Sequence, residues 1–482
     1  MITLLLILLP LIGAFLLLFL KGRPQSFTKN VALVLALSEF LIFIYAACGF
    51  AKNKGQLLFS ADWVKELGIK FQVNLDGISL LMVGLTSFLI PLVILSSYRV
   101  AYKNASVLYA LILFTQSALV GVFAADDIFL FYFCFEAALI PVYFLATYWG
   151  GERGPKITFK MFVYTMFGSL LMLVAFVTLY MRGQTADIAA LKQTAVLLPP
   201  ALQHLLFGAF FIAFAIKMPV FPFHTWQPDA YTESPTPATM LLSGLLSKMG
   251  VFGLIRILLP LSPAGFKDYA TIAIVLSLIG LVYGSIIAIR QNNIKRMIAY
   301  SSFAHMGLMS AGVFTGNLSG IQGAILQMLA HGINAVGLFF ILKIIYDRTG
   351  RRDLPSLGGI TQKAPVLSVL FMIILLGSVA LPLTNGFIGE FLLLKGVFDF
   401  NPYFGAFAGL TIILGAVYML RLMQRSMFGN ITHNTENFTD LKTSEVLVLA
   451  PIAAAVILMG VFPNFFLKIS EPVVLNLLQL AK

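Results

Sequence analysis

Apolar residues run unbroken for about twenty positions at a time, and polar residues collect in the gaps between the runs. Runs of that length suit helices that cross a bilayer, at 1.5 Å per residue through a hydrocarbon core of about 30 Å. Windows bounded by polar, Gly or Pro breaks predict about fourteen spans. Their approximate limits are 2–20, 30–50, 76–98, 107–124, 127–148, 158–181, 202–225, 238–259, 269–289, 297–316, 319–346, 365–398, 402–424 and 444–466. The first run has no basic leader and no small-residue cleavage site after it, so it reads as a retained span. The seventh span contains Pro219 and Pro222. The twelfth contains Pro382 and is too long for one straight helix. Both are expected to be discontinuous.

The two broken spans lie five apart. Consecutive five-helix units have opposite topology because five is odd, so the matched breaks predict an inverted repeat. The expected divisions are 1–106 for spans one to three, 107–259 for the first repeat, 260–428 for the second, and 429–482 for span fourteen and the tail. Lys and Arg concentrate in the loops after odd-numbered spans, among them Lys21, Arg23, Arg99, Lys103, Arg153, Lys156, Arg290, Lys295, Arg296, Arg348, Arg351 and Arg352. Fewer fall on the opposite side, where Lys52, Lys54, Lys65, Lys70, Arg182, Lys192, Lys267, Lys395, Lys468 and Lys482 are counted. The positive-inside rule then puts the odd loops in the cytoplasm and both termini outside.

Composition agrees with this picture. The chain is 59% hydrophobic and 11% charged, with mean hydropathy +0.94, which a water-soluble core does not use. The expected class is an all-α polytopic membrane protein. The net charge of +12 follows from the basic cytoplasmic loops and does not require nucleic acid. Two cysteines, Cys48 and Cys134, lie far apart inside apolar runs, which argues against an iron–sulfur or structural zinc site. No Gly-rich phosphate loop is present. Energy for any transport is therefore expected from a gradient or a partner protein.

Four charges interrupt the apolar spans near their middles: Glu136, Lys217, Lys248 and Glu390. Each costs roughly 2.5–3.5 kcal/mol at a helix centre, and such residues mark ion or proton pathways. Glu136 and Lys217 are natural partners, since each keeps the other ionised. Ser243, Gly244, Ser247, Gly250 and Gly253 around Lys248 leave room for close helix packing and for water. His305 and His331 sit at mid-span in adjacent spans, and histidine passes protons through either nitrogen. Glu390 follows the second break and suits release to the outside. The expected relay is Glu136, Lys217, Lys248, His305 or His331, then Glu390. Helix axes stand roughly 8–10 Å apart, so waters must lie between most of these groups. His224, Asp229 and Glu233, just after the first break, are candidates for a proton entrance or for caps of that loop. Glu39, Arg256 and Lys343 are expected to make structural or helix-end contacts.

The segments FCFEAALIPVYFLATYWGGE, KMPVFPFHTWQPDAYTESPTPATMLLSGLLSKMG and LPLTNGFIGEFLLLKG resemble the antiporter-like membrane subunits of respiratory complex I. The resemblance spans nearly the whole chain. It implies fourteen transmembrane helices, inverted repeats of helices 4–8 and 9–13, and a hydrophilic axis of Glu136, Lys217, Lys248, His305, His331 and Glu390. It implies a subunit of a proton-translocating NADH:quinone oxidoreductase in the bacterial inner membrane, with no cofactor and no metal on this chain. NADH, FMN, iron–sulfur clusters and quinone would be held by partner subunits, and sister chains L and N would be neighbours. In those sisters the helix-12 residue is usually Lys. Subunits of Mrp-type cation/proton antiporters and of membrane-bound hydrogenases share the central motif.

Overall fold

The computed structural model describes residues 1–50 and 57–480. Lys52, Lys54 and Lys482, counted above on the outer side, lie outside the described residues. The chain opens with α1 (Ile2–Phe19) and α2 (Gln25–Phe50), followed by an antiparallel hairpin of β1 (Phe59–Val64) and β2 (Ile69–Val73). There follow α3 (Gly77–Ser96), α4 (Ala105–Ala124), α5 (Ile128–Ala137), α6 (Leu139–Trp149), α7 (Gly154–Gly183), α8 (Ile188–Val196) and α9 (Pro200–Lys217). After the first break come α10 (Gln227–Glu233), α11 (Thr236–Leu241), α12 (Lys248–Gly253), α13 (Leu259–Leu261) and α14 (Pro263–Arg290). The remainder is α15 (Ile294–Phe314), α16 (Leu318–Thr349), α17 (Ile360–Lys363), α18 (Pro365–Ser378), α19 (Asn385–Phe400), α20 (Pro402–Met427), α21 (Thr443–Val461) and α22 (Pro463–Leu480). Among the described residues, 12 helical segments are long and apolar enough to cross a membrane.

The helices start where a short polar side chain can take the first free N–H groups. Asp76 accepts from Ile78 and Ser79 at the head of α3, and Asp127 from Phe129 and Leu130 at the head of α5. Asn293 caps α15, Asn317 caps α16 and Asn401 caps α20 in the same way. In lipid these caps matter more than in water, because no solvent replaces them.

The chain divides into two compact units. One comprises Met1–Met218, Leu245–Thr271 and Ile469–Lys482; the other comprises Pro219–Gly244 and Ile272–Lys468. In the first, Ile128 N donates to Ala186 O at 2.9 Å and Ile188 N to Asp126 O at 3.1 Å. In the second, Ile294 N donates to Arg352 O at 2.9 Å and Leu354 N to Asn292 O at 2.8 Å. The same two-bond bridge thus joins the head of α5 to the loop after α7, and the head of α15 to the loop after α16.

Both expected breaks are present. Helix α9 stops at Lys217 ahead of Pro219, and regular helix resumes at Gln227. Helix α18 stops at Ser378, and α19 starts at Asn385. Two further interruptions were not expected. The fifth span divides at Ala138, where Pro141 removes the N–H that would bond Ala137 O. The eighth widens into π-helical turns at Leu242–Leu246 and Leu254–Leu258.

Candidate functional site

In the first unit, Glu136 occupies the last turn of α5 and is half-buried. It couples electrostatically to Lys217 and meets the Ser169 hydroxyl of α7. Lys217 is the last residue of α9, 4% exposed, with Nζ 4.6 Å from the centre of the Phe135 ring. An aromatic ring face attracts an ammonium, more strongly when water is excluded. Glu136 and Lys217, expected partners from the sequence, are electrostatically coupled in the structure. Lys248 opens α12 between the two π turns and is fully buried, its Nζ donating to Ser247 Oγ at 3.3 Å. Gly250 and Gly253 let this segment lie against α9: a Cβ on Gly250 would stand 2.6 Å from Met218 Cβ and 2.9 Å from Phe214 O. The helix carrying Lys248 is thereby pressed against the last turn that carries Lys217. π turns recur at functional sites because they re-aim side chains within a helix.

In the second unit, His305 of α15 and Glu390 of α19 are in contact, with Nε2 3.1 Å from Oε1. The two side chains are 5% and 6% exposed. His305 Nδ1 lies 2.8 Å from the Ser301 carbonyl, which can only accept, so Nδ1 carries a proton. His305 Nε2 is then either an imidazolium donor to the carboxylate or a neutral acceptor from the carboxylic acid. One proton can sit on either side of a single hydrogen bond. The His331 ring of α16 is 5.4 Å from the His305 ring, centre to centre. Gln327 Nε2 donates to Glu390 Oε1 at 3.3 Å, and Ser301 Oγ donates to Tyr418 OH at 3.0 Å.

Glu390 is held by the break before it. Ala380 and Leu383 have φ of +60° and +71°, a region that costs any residue with a Cβ. Asn385, at the first turn of α19, exchanges two 3.1 Å hydrogen bonds with Asn334, one turn beyond His331. This buried amide pair fixes the start of α19 against α16.

The entrance candidates lie around the loop after the first break. His224 is buried, stacked on Phe303 at 4.4 Å and edge-on to Tyr283 at 5.3 Å. Asp229 pairs with Arg296 at 3.2 Å. Glu233 is electrostatically coupled to Lys295, whose Nζ donates to Ser234 O at 2.6 Å. Asp229 and Glu233 thus border the basic head of α15, while His224 packs further along that helix.

Arg256, read from sequence as a structural or helix-end contact, is the centre of a cluster. It pairs with Asp76 and, at 3.1 Å, with Asp126. Lys192 and Asn476 complete the wall of an adjoining cavity of about 310 Å³. Burial raises the Asp76 carboxyl, but Arg256 and the Ser79 N–H outweigh it and hold it below the usual range. Burial, with the neighbouring Arg256 cation, lowers Lys192 to about 8. This cluster was not legible in the sequence because its members come from elements far apart in the chain: the head of α3, the loop before α5, α8, the second π turn and α22. Glu39 accepts hydrogen bonds from Ser87 and Gln116 at 2.8 Å, and Lys343 pairs with Asp347, so both make contacts of the structural or helix-end kind expected of them.

Fold and site define a class: a polytopic helical membrane protein that buries titratable side chains beside interrupted helices. The chain belongs to the NADH:quinone oxidoreductase/Mrp antiporter transmembrane family, whose model matches residues 125–415. It is 40% identical over 482 residues to NADH-quinone oxidoreductase subunit M of Rickettsia typhi, covering 98% of this chain and 97% of that one. Among solved structures it superimposes on a chain of respiratory complex I from Thermus thermophilus with bound NADH, with a TM-score of 0.92 and 31% identity over 100% of both chains. It shares its fold, at TM-score 0.86 and 20% identity, with a chain of the Mrp complex from Dietzia, covering 100% of this chain and 52% of that one.

Proposed function

We propose that this chain is the proton-carrying, antiporter-like subunit M of a bacterial NADH-quinone oxidoreductase. The observation that carries the reading is the buried His305–Glu390 contact, in which the Ser301 carbonyl leaves one proton to be shared between ring and carboxyl. Glu136, Lys217 and Lys248 form the acid–base series of the first unit, and His305, His331 and Glu390 that of the second. Protons step through each series with waters between the groups, entering near His224, Asp229 and Glu233 and leaving near Glu390. A charge arriving beside Glu136 would change how firmly Lys217 holds its proton, and Lys217 in turn would bias Lys248.

Redox chemistry belongs to partners: NADH, FMN, iron–sulfur clusters and quinone are assigned to other subunits, and sister chains L and N to the neighbouring membrane positions. Full-length likeness to subunit M at 40% identity supports this placement. About fourteen spans result when α15 and the broken α18–α19 pair join the long apolar helices. The repeated backbone bridge and the two breaks support inverted repeats, which we place at 107–259 and 260–428. The meeting of Asp76, Asp126, Lys192 and Arg256 supports assigning their loops to one face, outside, with both termini there and the odd loops in the cytoplasm.

Purification of the tagged chain from native membranes in mild detergent tests the assignment. Co-purification of NADH-oxidising, iron–sulfur-containing subunits is expected. Recovery of antiporter subunits alone, with cation/proton exchange independent of NADH, would overturn it.

A further inference from the structure

Two side-chain nitrogens converge on one oxygen of Glu390. His305 Nε2 is 3.1 Å and Gln327 Nε2 3.3 Å from Oε1. Gln327 is 3% exposed, and its own buried Oε1 has no hydrogen-bond partner among the described residues. A buried carbonyl left unpaired requires a reason. The packing around it is close: a Cβ on Gly389 would lie 2.5 Å from Gln327 Oε1 and 3.0 Å from Gln327 N. Only glycine at 389 lets α19 approach the Gln327 amide in this way.

Proton counting supplies the reason. With one proton in the His305–Glu390 contact, the imidazole either donates to the carboxylate or accepts from the acid. With two, His305 is an imidazolium with no lone pair at Nε2, and the acid O–H needs another acceptor. Rotation of the Gln327 amide by half a turn puts Oε1 where Nε2 now lies. That terminal torsion is broad and roughly two-fold, so rotation is not opposed by a staggered well. Each orientation leaves one amide atom unpaired, so neither is favoured by Gln327 alone. The proton state of Glu390 selects between them. The other titratable groups facing this point are His331 from α16 and Tyr418 from α20. Helix α18 brings none, and α21 brings only Glu445, which is paired with Arg348 at 2.7 Å.

We infer that Gln327 is a positioning residue for Glu390, its amide turning from donor to the carboxylate into acceptor from the carboxylic acid, so that the His305–Glu390 contact can hold a second proton. Loading forms one O–H bond on Glu390 and release breaks it; nothing else is made or broken. The inference rests on the proton-carrying role proposed for Glu390.

Infrared difference spectra of the intact complex, stepped between acid and neutral pH, test it. The Glu390 carboxylic acid band is identified by its loss in Glu390→Gln. In Gln327→Leu, and in the length-matched Gln327→Met should the first variant fail to incorporate, the Glu390 band should move to the higher frequency of an acid without a partner. Proton pumping should fall roughly tenfold, the cost of leaving one buried donor without its partner. An unmoved band and parental pumping would overturn the inference. Normal pumping by Glu390→Gln would instead remove Glu390 from the pathway, and the band position would still report whether Gln327 pairs with the acid.

Discussion

A backbone carbonyl decides what His305 can do. Because Ser301 O only accepts, the ring meets Glu390 through a nitrogen whose proton is exchangeable with the carboxyl. Lys217 shows a different solution: its ammonium faces an aromatic ring and a nearby carboxylate within an apolar surround. Removing either charge leaves the other poorly compensated. Glu136→Gln and Lys217→Ala should each lower proton pumping roughly tenfold or more, about 1.4 kcal/mol per decade, with the chain still incorporated; pumping assays on both variants check this. Lys192 gives a pH-dependent prediction. Burial and Arg256 disfavour its ammonium, so it loses its proton near about 8 instead of the ordinary lysine value of about 10.4. Only the neutral amine acylates, so its labelling rate should level off above pH ~8 while ordinary surface lysines keep gaining. A Lys192 rate that rises in parallel with theirs to pH ~10 counts against the shift. All of the buried charges in these series were visible in the sequence as interruptions of apolar runs. Their partners Ser301, Gln327 and Tyr418 were not, since small polar residues are ordinary within a span and these come from other helices.

At the scale of the helix, interruptions put the charges where they are. The breaks at Pro219 and Pro382 were legible because proline removes a donor and clashes one turn back. The π turn at Leu242–Leu246 carries no such residue, whereas the one at Leu254–Leu258 precedes Pro260, which lacks the N–H that would bond Arg256 O. The β1–β2 hairpin was likewise missed, because its mixed polar and apolar residues lie between spans and its Trp63 rests on the distant Phe133 ring at 5.7 Å. Close contact between α12 and α9 depends on Gly250, where an added methyl meets backbone as well as side chain. Gly250→Ala should cost about 1–3 kcal/mol by overpacking and lower pumping by displacing Lys248. Gly208→Ala on α9, with nothing within 4 Å, should be neutral or stabilising. Thermal unfolding of the two purified variants compares them directly, and equal melting temperatures would refute the packing account.

At the scale of the whole chain, the helical membrane class followed from hydropathy, and the family from three motifs. The repeat proposed above was harder to read. Asp126, Asp127 and Ile128 correspond in the bridge to Asn292, Asn293 and Ile294, and Asp187 and Ile188 to Asp353 and Leu354. Those short capped turns are a signal the sequence does carry, hidden because the helices between them keep only their apolar character. Interrupted helices accompany the buried titratable groups: α5 ends beside Glu136, α9 at Lys217, and α19 restarts five residues before Glu390. The central claim is that those groups carry protons, with Glu390 at the point of release. NADH-driven acidification of inside-out membrane vesicles, measured with Glu390→Gln incorporated at the parental amount, tests it most directly. The account predicts a fall of roughly tenfold or more in the acidification rate; acidification at the parental rate would contradict it.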